Sequence, residues 1–275
     1  MKKKWKIIIA VLGVFLIGGT WFVNNPVDIK PSYLGNKIAD KDFAKGKTLL
    51  KEMQAAHGGM DNWLAHKTGS FVQMAGSPDD TLTNEGDALQ QFQMTSILGT
   101  DDSEYVLLNG SDKGQTWGME DWKSYQIKNG QKEFFHNKTY YEKMTNSNYW
   151  FQFPFRISEA PIIAYAGEST VKGTTYDLLY ATWGSEAANR EYDQYVLYLN
   201  QDTKIVEWLN FTYRGKAKFV NATAQFTDFQ TVSGIVTPFS HHTTFGAPES
   251  EGFKMGTKSY LWIQFGEQKV MSRKI

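Results

Sequence analysis

Residues 192–213, YDQYVLYLNQDTKIVEWLNFTY, contain the pattern that decides the class of fold. Two runs rich in aromatic and β-branched residues flank a short polar turn, which is typical of a β-hairpin. Tyr195 and Leu197 lie on one face of the first predicted strand, while Val196 and Tyr198 lie on the other. Because both faces are partly apolar, we expect a curved sheet that is covered on its concave side by helices.

The same pattern extends to both sides of this hairpin, from Thr68 onward. Short apolar runs alternate with turn clusters such as Asn129-Gly130, a dipeptide that strongly favours a hairpin turn. The sequence therefore predicts a mainly β fold of the α+β class. Its eleven predicted strands are residues 70–75, 88–96, 105–108, 115–118, 123–128, 175–183, 192–200, 205–213, 217–229, 235–244 and 259–265.

The longest predicted helix precedes the strands. It starts at an N-cap residue, Asp40 or Asp42, and carries one apolar stripe at helical spacing. His57 lies in its last turn, where a histidine can bond the terminal carbonyls as a structural cap. Gly58-Gly59 ends the helix, and we expect Gly58 to take the left-handed conformation.

Shorter helices are predicted at two other places. One covers residues 60–66, with Trp63 and Leu64 directed inward. The other is an aromatic-rich segment without strand alternation, residues 139–157, in which we expect one or two short helices that lie over the sheet and end near Pro154.

Composition excludes several classes of protein. The chain of 275 residues is 41% hydrophobic, 15% aromatic and 21% charged, which excludes a disordered, collagenous or coiled-coil chain. It has no cysteine, so disulfides, thiolate metal sites and a lipidated N-terminal cysteine are excluded. Four of the 29 basic residues are lysines within residues 2–6, and the rest of the chain has 29 acidic and 25 basic residues. This slightly acidic remainder is poorly suited to binding nucleic acid.

An uncharged run of 17 residues, IIIAVLGVFLIGGTWFV, follows those lysines at residues 7–23. As a helix it would measure about 26 Å, near the lower limit for crossing a bilayer. We interpret it as an uncleaved signal-anchor, with a cleaved signal peptide as the alternative. Residues 1–6 are then a cytoplasmic basic start and residues 24–40 a short tether. The folded domain, residues 41–275, lies in the periplasm, outside the inner membrane.

Motifs that carry chemistry are missing from the sequence. It contains no phosphate-binding or dinucleotide-binding glycine motif, no HExxH and no GxSxG. His241 and His242 are adjacent on a predicted strand, so their rings point to opposite faces. A third metal ligand would have to be Asp228, Glu249 or Glu251, and no spacing selects one. We predict no catalytic residue, metal or cofactor, and keep a hydrolase or metalloenzyme that uses these histidines as the least favoured alternative.

The high aromatic content suggests a function for the concave side of the sheet. Ligand pockets are mostly apolar and lined by aromatic side chains, although the same residues also build ordinary cores. The candidate cavity residues are Met53, Phe71, Phe92, Met94, Trp117, Tyr125, Trp150, Phe151, Phe153, Tyr195 and Leu197. Methionines among them would suit an adjustable pocket.

Three segments carry a resemblance to a known family. They are LLKEMQAAHGGMDNWLAHKT at 49–68, YDQYVLYLNQDTKIVEW at 192–208 and AQFTDFQTVSGIVTPFSHHTTF at 224–245. Together they resemble the periplasmic lipoprotein-carrier (LolA/LolB-like) superfamily, as an uncharacterised bacterial branch. The third segment resembles the superfamily's F-x-D-[FY]-x-x-V-x-G-I-x-x-P stretch at Phe226, Asp228, Phe229, Val232, Gly234, Ile235 and Pro238. We assign structural roles to His57, Gly58, Gly59, Trp63, Gly234 and Pro238. No arginine of this chain matches the carrier's functional arginine.

The resemblance implies an unclosed antiparallel β-barrel of about eleven strands, with helices covering a hydrophobic cavity that binds acyl chains or other apolar groups. We therefore expect a membrane-anchored periplasmic binding or carrier domain. Its partners would be a lipid or an acylated protein and, through residues 7–23, the inner membrane. The main alternative is a non-catalytic envelope structural or interaction protein with a filled core.

Overall fold

The computed structural model describes residues 25–75, 90–215, 217–248, 250 and 254–266. The described strands form one curved antiparallel sheet of 13 strands, in the order β6-β5-β4-β3-β2-β1-β13-β12-β11-β10-β9-β8-β7. The strands are β1 (Thr68–Ala75), β2 (Gln90–Ile97), β3 (Ser103–Leu107), β4 (Thr116–Glu120), β5 (Lys123–Lys128), β6 (Gln131–Phe134), β7 (Ile162–Val171), β8 (Thr174–Thr182), β9 (Gln194–Asn200), β10 (Val206–Tyr213), β11 (Ala217–Val232), β12 (Ile235–Phe245) and β13 (Lys254–Gly266).

The sheet is unclosed because β6 and β7 form its two ends. Neither strand was among the eleven predicted ones, so the predicted number of strands was wrong. All four residues of β6 are exposed, and its sequence QKEF therefore has no apolar face to detect. β7 is buried over most of its length and bulges between Tyr165 and Glu168, which removes the alternation of apolar and polar residues.

Among the described residues, three α-helices accompany the sheet: α1 (Asp40–Ala56), α2 (Met60–Ala65) and α3 (Lys138–Arg156). The N-cap of α1 is Ala39 rather than Asp40 or Asp42, which lie in the first turn instead. There their carboxylates are favoured by the helix dipole. α1 packs along the edge strand β7 so closely that a Cβ on Gly46 would lie 2.6 Å from the Cα of Ala164.

The other two helices differ from the predictions in detail. In α2, Trp63 is buried as predicted, but Leu64 is 60% exposed and the prediction that it faces inward was wrong. α3 is one continuous helix that runs through Pro154 to Arg156. A proline in the last turn removes only one backbone N–H, so the helix can continue for two more residues.

α3 lies against the concave face and joins two hydrophobic clusters. The first cluster is built on β1–β4 and β13 and consists of Trp63, Phe71, Phe92, Met94, Tyr105, Leu107, Trp117, Met119, Met144, Phe151, Phe155, Ile235, Tyr260, Ile263 and Phe265. The second is built on α1 and β7–β11 and consists of Leu49, Leu50, Met53, Phe153, Ile157, Ala160, Ile163, Tyr165, Leu179, Ala181, Leu197, Leu199, Val206, Leu209, Ala224 and Phe226.

Residues 25–39, which we call the N-terminal strap, are fixed to the convex face of β7–β10. Leu34 and Ile38 are buried there in a third cluster that includes Tyr176, Tyr198 and Trp208. The interpretation of residues 24–40 as a tether was therefore wrong for the described part. Hydrophobic burial holds this segment in place, although its composition resembles that of a linker.

Polar contacts hold the start of the strap. The N–H of Val27 donates to the Lys218 carbonyl over 2.8 Å, and the guanidinium of Arg214 donates to the carbonyls of Val27 and Lys218. The Gln194 amide group bonds the Ile29 N–H and the Asp28 carboxylate at 3.0 and 2.9 Å. The folded domain thus begins before residue 41.

Within the described ranges, no helix has both the length and the apolar character needed to cross a membrane. The predicted span, residues 7–23, lies outside those ranges.

Candidate functional site

The first cluster forms an aromatic wall on the concave side of the first half of the sheet. The Phe71 ring lies 4.7 Å from the Phe151 ring and 5.0 Å from the Tyr260 ring. Phe92 stacks on Tyr105 with their ring centroids 4.2 Å apart. These contacts follow from strand alternation, since every second residue of β1, β2, β3 and β13 points to the same side.

The second half of the sheet contributes a more aliphatic wall. Leu197, Leu199 and Leu209 are fully buried in it, and Met53 of α1 packs on the same cluster. Tyr195 lies at its border, with its ring 6.1 Å from the Phe153 ring.

Side chains of α3 fill the space between the two walls. Phe151 and Phe155 belong to the first cluster, whereas Phe153 belongs to the second. Trp150 stacks on His241 at 5.4 Å and meets Phe211 edge-on at 5.0 Å. The remaining cavity measures about 10 Å³ and is lined by His57, Trp150, Phe151, Phe153, Pro154, Val206, Phe226, Thr237, Pro238, His241 and Tyr260. That space is at the lower limit for one water molecule.

A polar contact on the opposite side of α3 fixes the helix to the turn between β2 and β3. The Nδ2 of Asn148 and the Nε2 of Gln152 donate to the Thr100 carbonyl at 3.0 and 3.3 Å, and the Gly99 N–H donates to the Gln152 Oε1 at 2.7 Å. Arg156 also donates to the Thr100 carbonyl, at 3.1 Å. We call Asn148, Gln152, Arg156 and residues 99–101 the polar latch.

Arg156 is buried in the latch but keeps its charge. It lies 3.0 Å from the Asp101 carboxylate and 2.8 Å from that of Glu159. Burial, the largest single influence, lowers the pKa of this guanidinium, but the hydrogen bonds and charges of the two carboxylates together raise it above its ordinary value. A buried charge that is paired with two carboxylates fixes the orientation of α3, but it adds little to the net stability of the fold.

His57 joins the junction of α1 and α2 to the sheet. Its Nδ1 lies 2.8 Å from the Val236 carbonyl, and its Nε2 accepts from the Val206 N–H at 3.3 Å. These partners require the neutral ring with its proton on Nδ1. The His57 ring thus bonds two strands rather than the terminal carbonyls of its own helix, to which the sequence had assigned it. Burial lowers its pKa to about 4, against the hydrogen bond to Val236, which raises it.

His241 and His242 lie on opposite faces of β12, as predicted. His241 is buried against Trp150, and burial, with smaller effects of Lys258 and His242, lowers its pKa to about 3. His242 is exposed, with Nδ1 2.8 Å from the Thr257 hydroxyl. In the part of the chain that the structure describes, no three His, Cys, Asp or Glu residues are grouped to hold a metal ion.

The structure brings most of the candidate cavity residues together, but only Trp150, Phe151 and Phe153 border the remaining cavity. Met53, Phe71, Phe92, Met94, Trp117, Tyr195 and Leu197 pack behind them in the two walls. Tyr125 does not belong to this set: it pairs with Gly118 and donates to Glu104 at 3.4 Å on the other face of the sheet. A strand residue one position out of register faces the opposite side.

Several site residues were not among the candidates. Phe226, Tyr260 and His241 come from strands, and only the register shows that they point inward. The latch had a detectable signal, since Asn148, Gln152 and Arg156 recur at every fourth position and so share one face of a helix.

The architecture is that of an open half-barrel whose concave face is covered by a helix, and solved structures show that this is a LolA-like fold. A LolA superfamily protein from Nitrosomonas europaea superposes with a TM-score of 0.54 at 12% identity, over 82% of this chain and 94% of that one. A DUF1329 family protein from Desulfovibrio piger gives 0.52 at 15% identity, over 82% and 93%. A putative outer membrane lipoprotein-sorting protein domain from Vibrio parahaemolyticus gives 0.51 at 9% identity, over 84% and 96%.

No protein-family model and no curated protein matches the sequence. At these identities the solved structures show the fold alone.

Proposed function

We propose that this chain is a non-catalytic binding or carrier domain for an apolar ligand, a lipid or the acyl chain of a lipoprotein. The observation that carries the proposal is the origin of the side chains that fill the hollow. Trp150, Phe151 and Phe153 all come from α3, a single helix fixed to the rim by the polar latch. When α3 moves away, the aromatic and aliphatic walls of the sheet remain as an apolar cavity.

The competing proposal is an envelope structural protein with a permanently filled core. The small size of the remaining cavity, about 10 Å³, favours it. The two proposals differ in whether α3 leaves its place, and that difference can be measured.

A crosslink across the latch tests the movement of α3. The chain has no cysteine, so the double variant Thr100→Cys/Asn148→Cys carries one unique pair. In the native protein the Asn148 side chain donates to the backbone carbonyl of Thr100 over 3.0 Å. We expect the full-length chain, joined by a disulfide or by a short bis(methanethiosulfonate) linker that forms two disulfides, to take up no lipid from membranes. Reduction cleaves either link, so uptake should then return. Native mass spectrometry after extraction reads the bound lipid.

The matched control is Thr170→Cys/Thr175→Cys, a facing pair on the β7–β8 hairpin whose hydroxyl oxygens lie 3.4 Å apart. This crosslink spans no moving part and should leave uptake unchanged. Equal uptake by the reduced and crosslinked latch variants would contradict the carrier proposal and favour the filled core.

Ligand length should show a threshold. Removing three large aromatic side chains from the interior costs about 5–9 kcal/mol, at about 1.5–3 kcal/mol each. A buried methylene returns about 0.8 kcal/mol, so about 6–11 methylenes are needed to compensate. We expect aliphatic chains shorter than this to leave α3 in place and longer ones to bind, which a series of fatty acids of increasing length can check. If all fatty acids of the series bound with the same affinity, the idea that the ligand replaces the α3 side chains in the interior would be wrong.

We also propose that residues 7–23 anchor the domain in the inner membrane, with the body in the periplasm. The support is the uncharged run after four lysines, since basic residues stay on the cytoplasmic side. Because the strap is packed on the sheet from residue 25 onward, it provides no flexible linker between the proposed anchor and the domain. This suits a binding domain held at the membrane better than a carrier that diffuses through the periplasm.

A further inference from the structure

A second recess lies at the β6 end of the sheet, between the β4–β5 turn, the segment after β6 and the first turns of α3. Its volume is about 570 Å³, within the range of small-molecule sites. Phe135 and Tyr141 line it and also pack against the first cluster, so its floor continues into the concave wall. We call this recess the edge groove. It is open without any movement of α3.

Trp122 forms the outer wall of the edge groove in an unfavourable backbone conformation. Asp121 and Trp122 are the two central residues of the β4–β5 turn, with φ of 48° and 63°. Such turns favour Asn-Gly, because a side chain at positive φ costs about 1–3 kcal/mol. The tryptophan is nevertheless 65% exposed, so burial does not compensate for this strain. A large aromatic group kept in a strained, exposed position beside a recess points to contact with a ligand.

The charge of the edge groove differs from that of the whole chain, which has equal numbers of acidic and basic residues. Its lining includes two lysines, Lys123 and Lys138, against a single carboxylate, Glu142. The Lys138 ammonium lies 3.6 Å from that carboxylate but is largely exposed, so this pair is weak and can reorganise. The lining therefore complements an anion next to an apolar surface.

We propose that the edge groove binds an aliphatic chain that carries an anionic headgroup, a carboxylate or a phosphate. The chain contacts Trp122, Phe135 and Tyr141, and the headgroup lies at Lys123 and Lys138. Binding in the edge groove does not depend on the proposed carrier function. Only a later transfer of the ligand from the groove, beneath α3 and into the interior, rests on that function.

The test uses the full-length latch variant in its crosslinked form, in which the interior stays closed. Binding of the fluorescent fatty acid dansyl-undecanoate to this form reports on the edge groove. Trp122→Gly is the decisive substitution, because glycine fits the turn better than tryptophan. We expect it to raise the unfolding midpoint and to weaken binding at least about tenfold, the equivalent of one lost aromatic contact. A structural role alone would not move stability and affinity in opposite directions.

Leu64→Ser removes another exposed apolar side chain, on α2, and should leave binding unchanged. The headgroup is tested with the methyl ester of the probe and with Lys123→Gln/Lys138→Gln, both of which should weaken binding several-fold. Competition by dodecyl phosphate and by laurate shows which anion is preferred. Inorganic phosphate alone should not compete.

Unchanged affinity in Trp122→Gly, or equal affinity for the ester, would overturn the inference. If the crosslinked protein binds no probe while the reduced protein does, the proposal that the edge groove is a binding site is wrong and the proposed interior site is supported. If the crosslinked protein binds and reduction adds no further binding, the edge groove stands and the interior carrier proposal fails.

Discussion

Replacing Gly58 with alanine should destabilise the domain by about 2–6 kcal/mol, the largest effect of any single methyl group that we expect. Gly58 has φ of +112°, and a Cβ there would lie 2.2 Å from the Gly234 carbonyl oxygen. Backbone strain costs about 1–3 kcal/mol and overpacking a further 1–3 kcal/mol. The contact joins the α1–α2 junction to the β11–β12 turn, and neither backbone can withdraw without breaking the hydrogen bonds of His57 to Val236.

Gly59→Ala is the matched control. Gly59 also has a positive φ, +86°, but its Cβ would meet no atom within 4 Å. It should therefore show the backbone strain without the clash. Chemical denaturation measures both variants, and hydrogen exchange at the Val236 N–H, which donates to the His57 carbonyl at 3.0 Å, reads the junction itself. A Gly58→Ala variant no less stable than Gly59→Ala would show that the junction is not closely packed.

The stability of the domain should fall as the pH drops from about 6.5 to about 4. His57 and His241 are buried in the neutral form, with pKa values lowered to about 4 and about 3. Between these values and the ordinary histidine pKa, the unfolded chain binds more protons than the folded one, so stability rises with pH across this window. This contribution to stability is fully present above pH 6.5. It amounts to roughly 3 kcal/mol for His57 and roughly 5 kcal/mol for His241, at about 1.4 kcal/mol per pKa unit.

Two buried carboxyl groups work in the opposite direction. Burial raises the pKa of Glu104 and of Asp193, so these groups favour the folded state at low pH. The variant His241→Phe separates the histidine effect from that of the carboxyl groups. It keeps an aromatic ring against Trp150 and both carboxyl groups, but it lacks the titrating imidazole of His241, so the carboxyl contribution cancels when the variant is compared with the native chain. Its unfolding free energy, measured by urea denaturation from pH 4 to pH 7, should depend less steeply on pH than that of the native chain. Parallel curves would show that His241 is not buried in the neutral form.

The sequence was informative where strands alternate and uninformative at the ends of the sheet. All eleven predicted strands lie at strands of the structure, and the two that were missed, β6 and β7, are the two edges. Edge strands pair on one side only, and a short charged strand such as QKEF avoids further pairing. The same features that protect an edge remove the apolar pattern by which a strand is recognised.

For the candidate site, the sequence predicted that aromatic residues would line the concave side, but it did not predict on which face of the sheet each residue lies. The aromatic segment that became α3 was expected to lie over the sheet, and its Trp150, Phe151 and Phe153 border the remaining cavity. Tyr125 was misplaced because a hairpin register decides the face of every residue in a strand. The ion pair of Arg156 could not be found in the sequence, since its partner Asp101 lies 55 residues away in the chain.

The N-terminal strap limits how this chain can mature. Arg214 and Gln194 hold residues 27–29, and Leu34 and Ile38 cover tyrosines and a tryptophan on the convex face. A protease that cuts before Val27, the first strap residue hydrogen-bonded to the sheet, releases the domain with this cover intact. A cut beyond Ile38 would separate the strap from the sheet and uncover the aromatic surface.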